Sequence, residues 1–165
     1  HGHENNKNLP RGRDNRVMPG FNYRMTELQA AVGKVQLTKL NYMLEENKKR
    51  YSILFNGLNK FIPIRSELQN HLGSYDTFII SLKNKKKQKL IIEILNNLKF
   101  GTKNLPDAME WHCSYFWSHA LNKKEIANSL ISYKYLKEKI AIPILLKKSI
   151  DDYKVLSESI VDILN

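Results

Sequence analysis

Asn22, Tyr23 and Arg24 stand two to four residues after Gly20 and directly before Met25-Thr26-Glu27-Leu28-Gln29. Thr26 and Gln29 have the capping-box spacing that opens a helix. An amide and a guanidinium placed there, beside the unpaired N–H groups of a helix start, suit an anion such as a phosphate. The plainer reading of the same residues is a helix cap with incidental neighbours. A second group is the aromatic run Met109-Glu110-Trp111-His112-Cys113-Ser114-Tyr115-Phe116-Trp117-Ser118-His119. Flat apolar rings with polar rims make walls for sugars and planar cofactors. The same residues could instead form a satellite hydrophobic cluster that holds a loop down.

Two further chemistries find little support. His1, His3, Glu4, His112, Cys113 and His119 are potential metal ligands, but their spacing matches no zinc pattern. Cys113 neighbours His112, yet adjacent residues seldom present their side chains to each other, and no Gly-x-Ser-x-Gly elbow exists. A packed thiol is the better reading of Cys113. It is the sole cysteine, which precludes an internal disulfide and fits a reducing, cytoplasmic setting.

Charge separates into two patterns. The net charge of +11 comes mostly from 21 lysines spread along the chain beside many Asn and Ile residues, the mark of A/T-rich codon bias. Lys85, Lys86, Lys87 and Lys89 read as a solvated turn and helix start, not as a nucleic-acid footprint. Arginine is used differently: four of the six (Arg11, Arg13, Arg16 and Arg24) fall between residues 11 and 24. A planar, multi-donor guanidinium suits carboxylates and phosphates; a basic surface loop would have the same composition.

The elements that must position these groups follow from periodicity. At 165 residues and 42% hydrophobic, the chain can bury a core. No apolar run approaches the roughly 20 residues of a membrane span, so no membrane insertion is expected. Residues 1–20 read as an irregular connector punctuated by Gly and Pro. The opening His1-Gly2-His3-Glu4 lacks an initiator Met, and the chain is read as the C-terminal part of a longer polypeptide. From Thr26, Leu28, Ala31, Val32 and Val35 make one helical stripe; Leu40, Leu44, Tyr51, Leu54, Phe55 and Leu58 make a second, out of phase with the first. The spacing predicts helix to about Asn59 with a bend between Leu37 and Asn41. Phe61–Ile64 is extended, and Tyr75–Leu82 is a strand. Lys86–Leu98 is a helix closed by Gly101. A helix over Lys124–Glu138 follows the aromatic segment. Ala141–Leu145 is a strand around Pro143, near an edge. Ser149 caps a last helix to Leu164, with Asp151 and Asp152 in its first turn. The order after the long helices is that of a small α/β layer with a short sheet.

The run Gly20-Phe21-Asn22-Tyr23-Arg24-Met25-Thr26-Glu27-Leu28-Gln29-Ala30-Ala31-Val32-Gly33 resembles a signature of the DegT/DnrJ/StrS family of pyridoxal-phosphate sugar aminotransferases. His1-Gly2-His3-Glu4 and Arg11-Gly12-Arg13-Asp14 resemble the loop before it. Gly101-Thr102-Lys103-Asn104-Leu105-Pro106-Asp107 and Trp111-His112-Cys113 are similar to the subgroup that forms the 8-amino derivative of Kdo, a lipopolysaccharide sugar. The resemblance implies the C-terminal part of a fold-type I aminotransferase. Residues 1–40 would end the large cofactor domain, and residues 41–165 would form the small C-terminal α/β domain. It implies a homodimer with shared active sites, pyridoxal 5'-phosphate as cofactor, and glutamate and a keto-sugar as substrates. Asn22 would reach the cofactor phosphate of the other subunit, with Arg24 as anion support. His112, Trp111 and Arg13 would face the sugar, Arg13 meeting the carboxylate of an ulosonate. The cofactor-bearing lysine lies upstream in the family, and no lysine here has a matching context, so no catalytic residue is assigned. The competing class is a non-catalytic basic binding or dimerisation domain.

Overall fold

The computed structural model describes residues 25–65 and 73–165. The chain divides into two compact units, His1–Leu40 and Asn41–Asn165. The described part of the first unit is dominated by helix α1, Glu27–Thr38. Its capping box is formed: Thr26 Oγ1 accepts from the Gln29 amide at 3.3 Å, and Gln29 Oε1 accepts from the Thr26 amide at 2.9 Å. The helix ends where its amide ladder tightens, with Lys39 N–H donating to Gln36 O at 3.0 Å. That interruption falls inside the stretch where the two apolar stripes change phase. No residue of α1 is buried; Leu28, Val32 and Val35 are each more than half exposed.

The second unit has a core of its own. Helix α2, Leu40–Leu58, buries Asn47, Arg50, Tyr51, Leu54 and Leu58, a single stripe at helical spacing. Phe55, expected in that stripe, is 39% exposed, because its neighbour Leu54 takes the core-facing direction. Strands β1, Thr77–Ser81, and β2, Lys139–Pro143, pair antiparallel with Phe78 opposite Ile142 and Ile80 opposite Ile140. Those four side chains share one face and are fully buried, packed with Tyr51, Leu54 and Leu58 of α2. Ile91 and Leu95 of α3 (Lys85–Asn97) and Tyr153, Leu156 and Ile160 of α7 (Ile150–Leu164) complete the core.

The backbone also extends the sheet beyond its two strands. Ile64 bridges Ile80 on the free side of β1. On the free side of β2, Lys103 N–H donates to Ala141 O and Ala141 N–H donates to Leu105 O. Pro143 is tolerated because it faces Thr77 at a position where β1 needs no N–H; the ladder bonds run through the neighbouring pairs, with Ile144 N–H donating to Asp76 O.

One expectation needs correction. The helix expected over Lys124–Glu138 is two short helices, α5 (Lys123–Asn128) and α6 (Leu130–Leu136). Ser129 interrupts them: its amide bonds to Ile126 O, and its hydroxyl is 2.6 Å from Ser114 Oγ. The end of α3 is turned by Lys99, at φ 57°, and closed by Gly101, at φ 66°, as the sequence leads one to expect. This lets Phe100 and Gly101 both donate to Leu95 O while Phe100 enters the core. The lysine run is solvent-facing in part, yet Lys85 Nζ donates to Lys137 O and Lys87 Nζ to Leu164 O, so two of its members tie down distant carbonyls.

Gly57 shows how closely α2 approaches α7. A Cβ there would lie 2.0 Å from Ser157 Oγ and 3.3 Å from Ser157 Cβ. Gly57→Ala should lower the melting temperature, because overpacking costs about 1–3 kcal/mol and outweighs the roughly 1 kcal/mol gained in helix propensity. In a Ser157→Ala background the same substitution should be stabilising. Thermal melts of the two singles and the double test this, and additive effects would contradict it.

Candidate functional site

The phosphate-directed motif meets the described residues at the start of α1. A free helix start offers four amides to an anion. Here the capping box takes up the Gln29 amide and secures the Thr26 amide before it. Among the described residues, the Glu27 and Leu28 amides have no bonded acceptor, but the Glu27 carboxylate lies in that same turn. The helix end alone is therefore a weak anion site. Any fit to a cofactor phosphate rests on the amide of Asn22 and the guanidinium of Arg24, whose donor chemistry suits one. Asn22 and Arg24 lie outside the described residues, as does Arg13.

The aromatic segment is the second part. Its root is fixed by the two backbone bonds to Ala141 and by an ion pair between Lys103 and Asp76. The Lys103 hydrogen bond, helped by Ser74 and Thr77, holds the Asp76 carboxyl below its ordinary range. Beyond the root, helix α4 is a single turn, Met109–His112, followed by a 3-10 turn over Ser114–Phe116. Tyr115 stacks on Tyr133 of α6 with centroids 4.5 Å apart, and Phe116 meets the same ring edge-on at 5.4 Å. Trp117 Nε1 donates to Glu110 O at 3.2 Å, and Cys113 is buried.

Most of the aromatic run is therefore spent on packing, as the satellite-cluster reading has it. Tyr115, Phe116 and Trp117 hold the segment against α6 and against itself. Trp111 and His112 are different. They are neighbours on α4, Trp111 is 81% exposed, and His112 is exposed beside it. An uncovered indole is a platform for the apolar face of a sugar ring, and the imidazole next to it can donate or accept. Sequence reading grouped the whole run; only the packing separates the three structural aromatics from the free one.

Among the described residues, no three His, Cys, Asp or Glu side chains are grouped to hold a metal ion. No helix of the described residues is long and apolar enough to cross a membrane.

These features define a small α/β domain: an antiparallel sheet covered on one face by α2, α3 and α7, with an aromatic excursion rooted at its edge. A family model described as the DegT/DnrJ/EryC1/StrS aminotransferase family matches residues 1–160, and the chain belongs to that family. It is 29% identical over 105 residues to the lipopolysaccharide biosynthesis protein RfbH of Salmonella typhimurium, covering 59% of this chain and 24% of RfbH. Its fold is similar to that of a sugar aminotransferase, Spr1654 of Streptococcus pneumoniae, solved in its PMP form: TM-score 0.59, 19% identity, 87% of this chain and 38% of that one. It is also similar to PseC of Helicobacter pylori, an aminotransferase involved in the biosynthesis of pseudoaminic acid: TM-score 0.57, 16% identity, 88% of this chain and 39% of that one. The chain thus spans about a quarter of the curated relative and under two fifths of the solved ones.

Proposed function

We propose that the complete protein is a pyridoxal-phosphate-dependent sugar aminotransferase. In this reading residues 1–40 end its large cofactor domain and residues 41–165 form its small domain. It transfers an amino group from glutamate to a keto-sugar destined for lipopolysaccharide or another surface glycan, with 8-oxo-Kdo as the favoured substrate. The observation that carries the proposal is the run Gly20–Gly33, which lies within the family match over residues 1–160. The match to a lipopolysaccharide biosynthesis protein supports the glycan setting, and Trp111-His112 supports a sugar partner. A homodimer in the cytoplasm completes the reading. The exposed stripe Leu28, Val32 and Val35 supports it, since such a stripe gains from a covering surface.

Pyridoxal phosphate supplies an electron sink when bound. The chain's own contribution is positional. Asn22 donates to a phosphate oxygen of the cofactor held by the other subunit, and Arg24 adds positive charge beside it. Trp111 orients the sugar by stacking, His112 binds a hydroxyl, and Arg13 pairs with the ulosonate carboxylate. The cofactor-bearing lysine belongs to another part of the protein.

This division of labour predicts that the 165-residue chain does not hold the cofactor covalently. Incubated with pyridoxal phosphate and reduced with borohydride, it should show scattered labelling by peptide mass spectrometry. A stoichiometric adduct on one lysine would overturn that assignment. In the complete protein, glutamate-dependent amination of 8-oxo-Kdo, with a nucleotide-linked keto-sugar as the competing substrate, tests the sugar.

A further inference from the structure

The sheet face opposite the core carries a cleft of 310 Å³ that the aminotransferase reading does not use. Its floor is Ile79, Ser81 and Lys139, the odd-numbered positions that alternate with the core-facing Phe78, Ile80 and Ile140. Ile64 and Arg65 wall it along the free edge of β1, Leu105 lies on the β2 side, and Tyr135 and Leu136 of α6 close it from above.

Lys139 is the unusual member. It is 9% exposed, and among the described residues its ammonium forms no ion pair. Its register partner on β1 is Ser81, and Lys139 Nζ donates to Ser81 Oγ at 2.5 Å. The ammonium also lies 3.8 Å from the centroid of the Tyr135 ring. Among the described residues a hydroxyl and a ring face satisfy part of its hydrogen bonding and no carboxylate meets its charge, and a buried charge without a counter-ion is costly. At the mouth of the same cleft the Arg65 guanidinium is exposed and has no bonded partner among the described residues. The remaining walls are apolar.

We propose that this cleft binds a small organic carboxylate with an apolar body. The carboxylate takes the counter-ion position at Lys139, and the fork of Arg65 reaches it from the rim. The apolar body lies over Ile79, Ile64 and Leu105. One buried ammonium and one fork match a monoanion, and the mostly apolar lining disfavours a bare, strongly hydrated anion such as phosphate. The site is independent of transamination, since none of its residues is assigned to cofactor or sugar.

Phenylacetate is the probe, titrated into the 165-residue chain and followed by the amide signals of Ile79, Ser81, Leu105 and Lys139 in two-dimensional NMR. Saturable shifts at these amides, at millimolar affinity or tighter, are expected. Acetate and inorganic phosphate, which lack the body, and 2-phenylethanol, which lacks the charge, should bind at least about tenfold more weakly. Lys139→Met keeps the side-chain volume and should weaken phenylacetate about tenfold or more. Arg65→Gln, at an exposed residue, should weaken it several-fold, and it decides the matter if the Lys139 variant does not fold. Absence of saturable shifts, equal binding of 2-phenylethanol or phosphate, or unchanged affinity in Arg65→Gln overturns the proposal.

Discussion

Arg50→Ala is expected to lower the unfolding free energy of the chain by about 3 kcal/mol, within the range for breaking a buried charged network. Arg50 sits on the buried stripe of α2 at 7% exposure. Its Nη1 donates to Glu46 Oε2 at 2.7 Å and to Glu46 O at 2.9 Å; its Nε donates to Lys148 O at 3.1 Å and its Nη2 to Leu146 O at 3.4 Å. One guanidinium thus clamps α2 to the turn between β2 and α7. Beneath that turn the buried Tyr153 hydroxyl accepts from Leu145 N–H and donates to Pro143 O. Removing the guanidinium leaves the carbonyls of Glu46, Leu146 and Lys148 and the Glu46 carboxylate to find other partners. Arg50→Lys should recover the Glu46 contact but not the fan of bonds to both carbonyls, because a lysine head is a point charge and not a fork. It should fall between alanine and wild type in urea unfolding. A loss below about 0.5 kcal/mol for Arg50→Ala, the usual surface range, would contradict the clamp.

Acidity probes the same network. Hydrogen bonds from Lys49 and Arg50 hold the Glu46 carboxyl below its ordinary range. Its contribution to stability is therefore complete above the unfolded carboxylate pKa and is lost as pH falls through the lower, folded value.

On the proposed reading, Asn22→Ala in the complete protein is expected to weaken retention of pyridoxal phosphate about ten- to a hundredfold. That is the equivalent of a lost hydrogen bond to a charged group, about 1.5–3 kcal/mol. Arg24→Ala should weaken it less, since its charge acts in support. Equilibrium dialysis measures both. The chosen assignment also has a geometric signature: if Asn22 serves the partner's cofactor, mixed dimers of Asn22→Ala with a subunit that cannot hold the cofactor should separate the two sites. Unchanged retention in Asn22→Ala would leave the signature as a helix cap only.

Features governed by residues a few positions apart were legible in the sequence. The capping box of Thr26 with Gln29 and the cap at Ser149 are both formed, the latter also closing a box with Asp152, because each spans only three residues and needs no other part of the chain. The phase change between apolar stripes placed a bend between Leu37 and Asn41, and the break at Lys39 falls inside it, since a single straight helix cannot present both stripes to one surface. The motif that carried the family likeness was also contiguous, and the family match over residues 1–160 agrees with it.

Tertiary structure decided the rest. Nothing local marks Ser129 as a helix break; its hydroxyl meets Ser114, 15 residues away. Nothing local divides Trp111 from Trp117, yet one indole is an open platform and the other is tied to Glu110. Lys139 looked like one more lysine in a lysine-rich chain until strand register set it opposite Ser81, 58 residues away. Arg50 lay outside the arginine cluster that drew attention, and its partners at 146 and 148 are 96 and 98 residues distant. Periodicity reports which way a side chain points along its own element. Whether it then meets solvent, a ring or a carbonyl depends on which distant element folds back over it, and that is settled by packing.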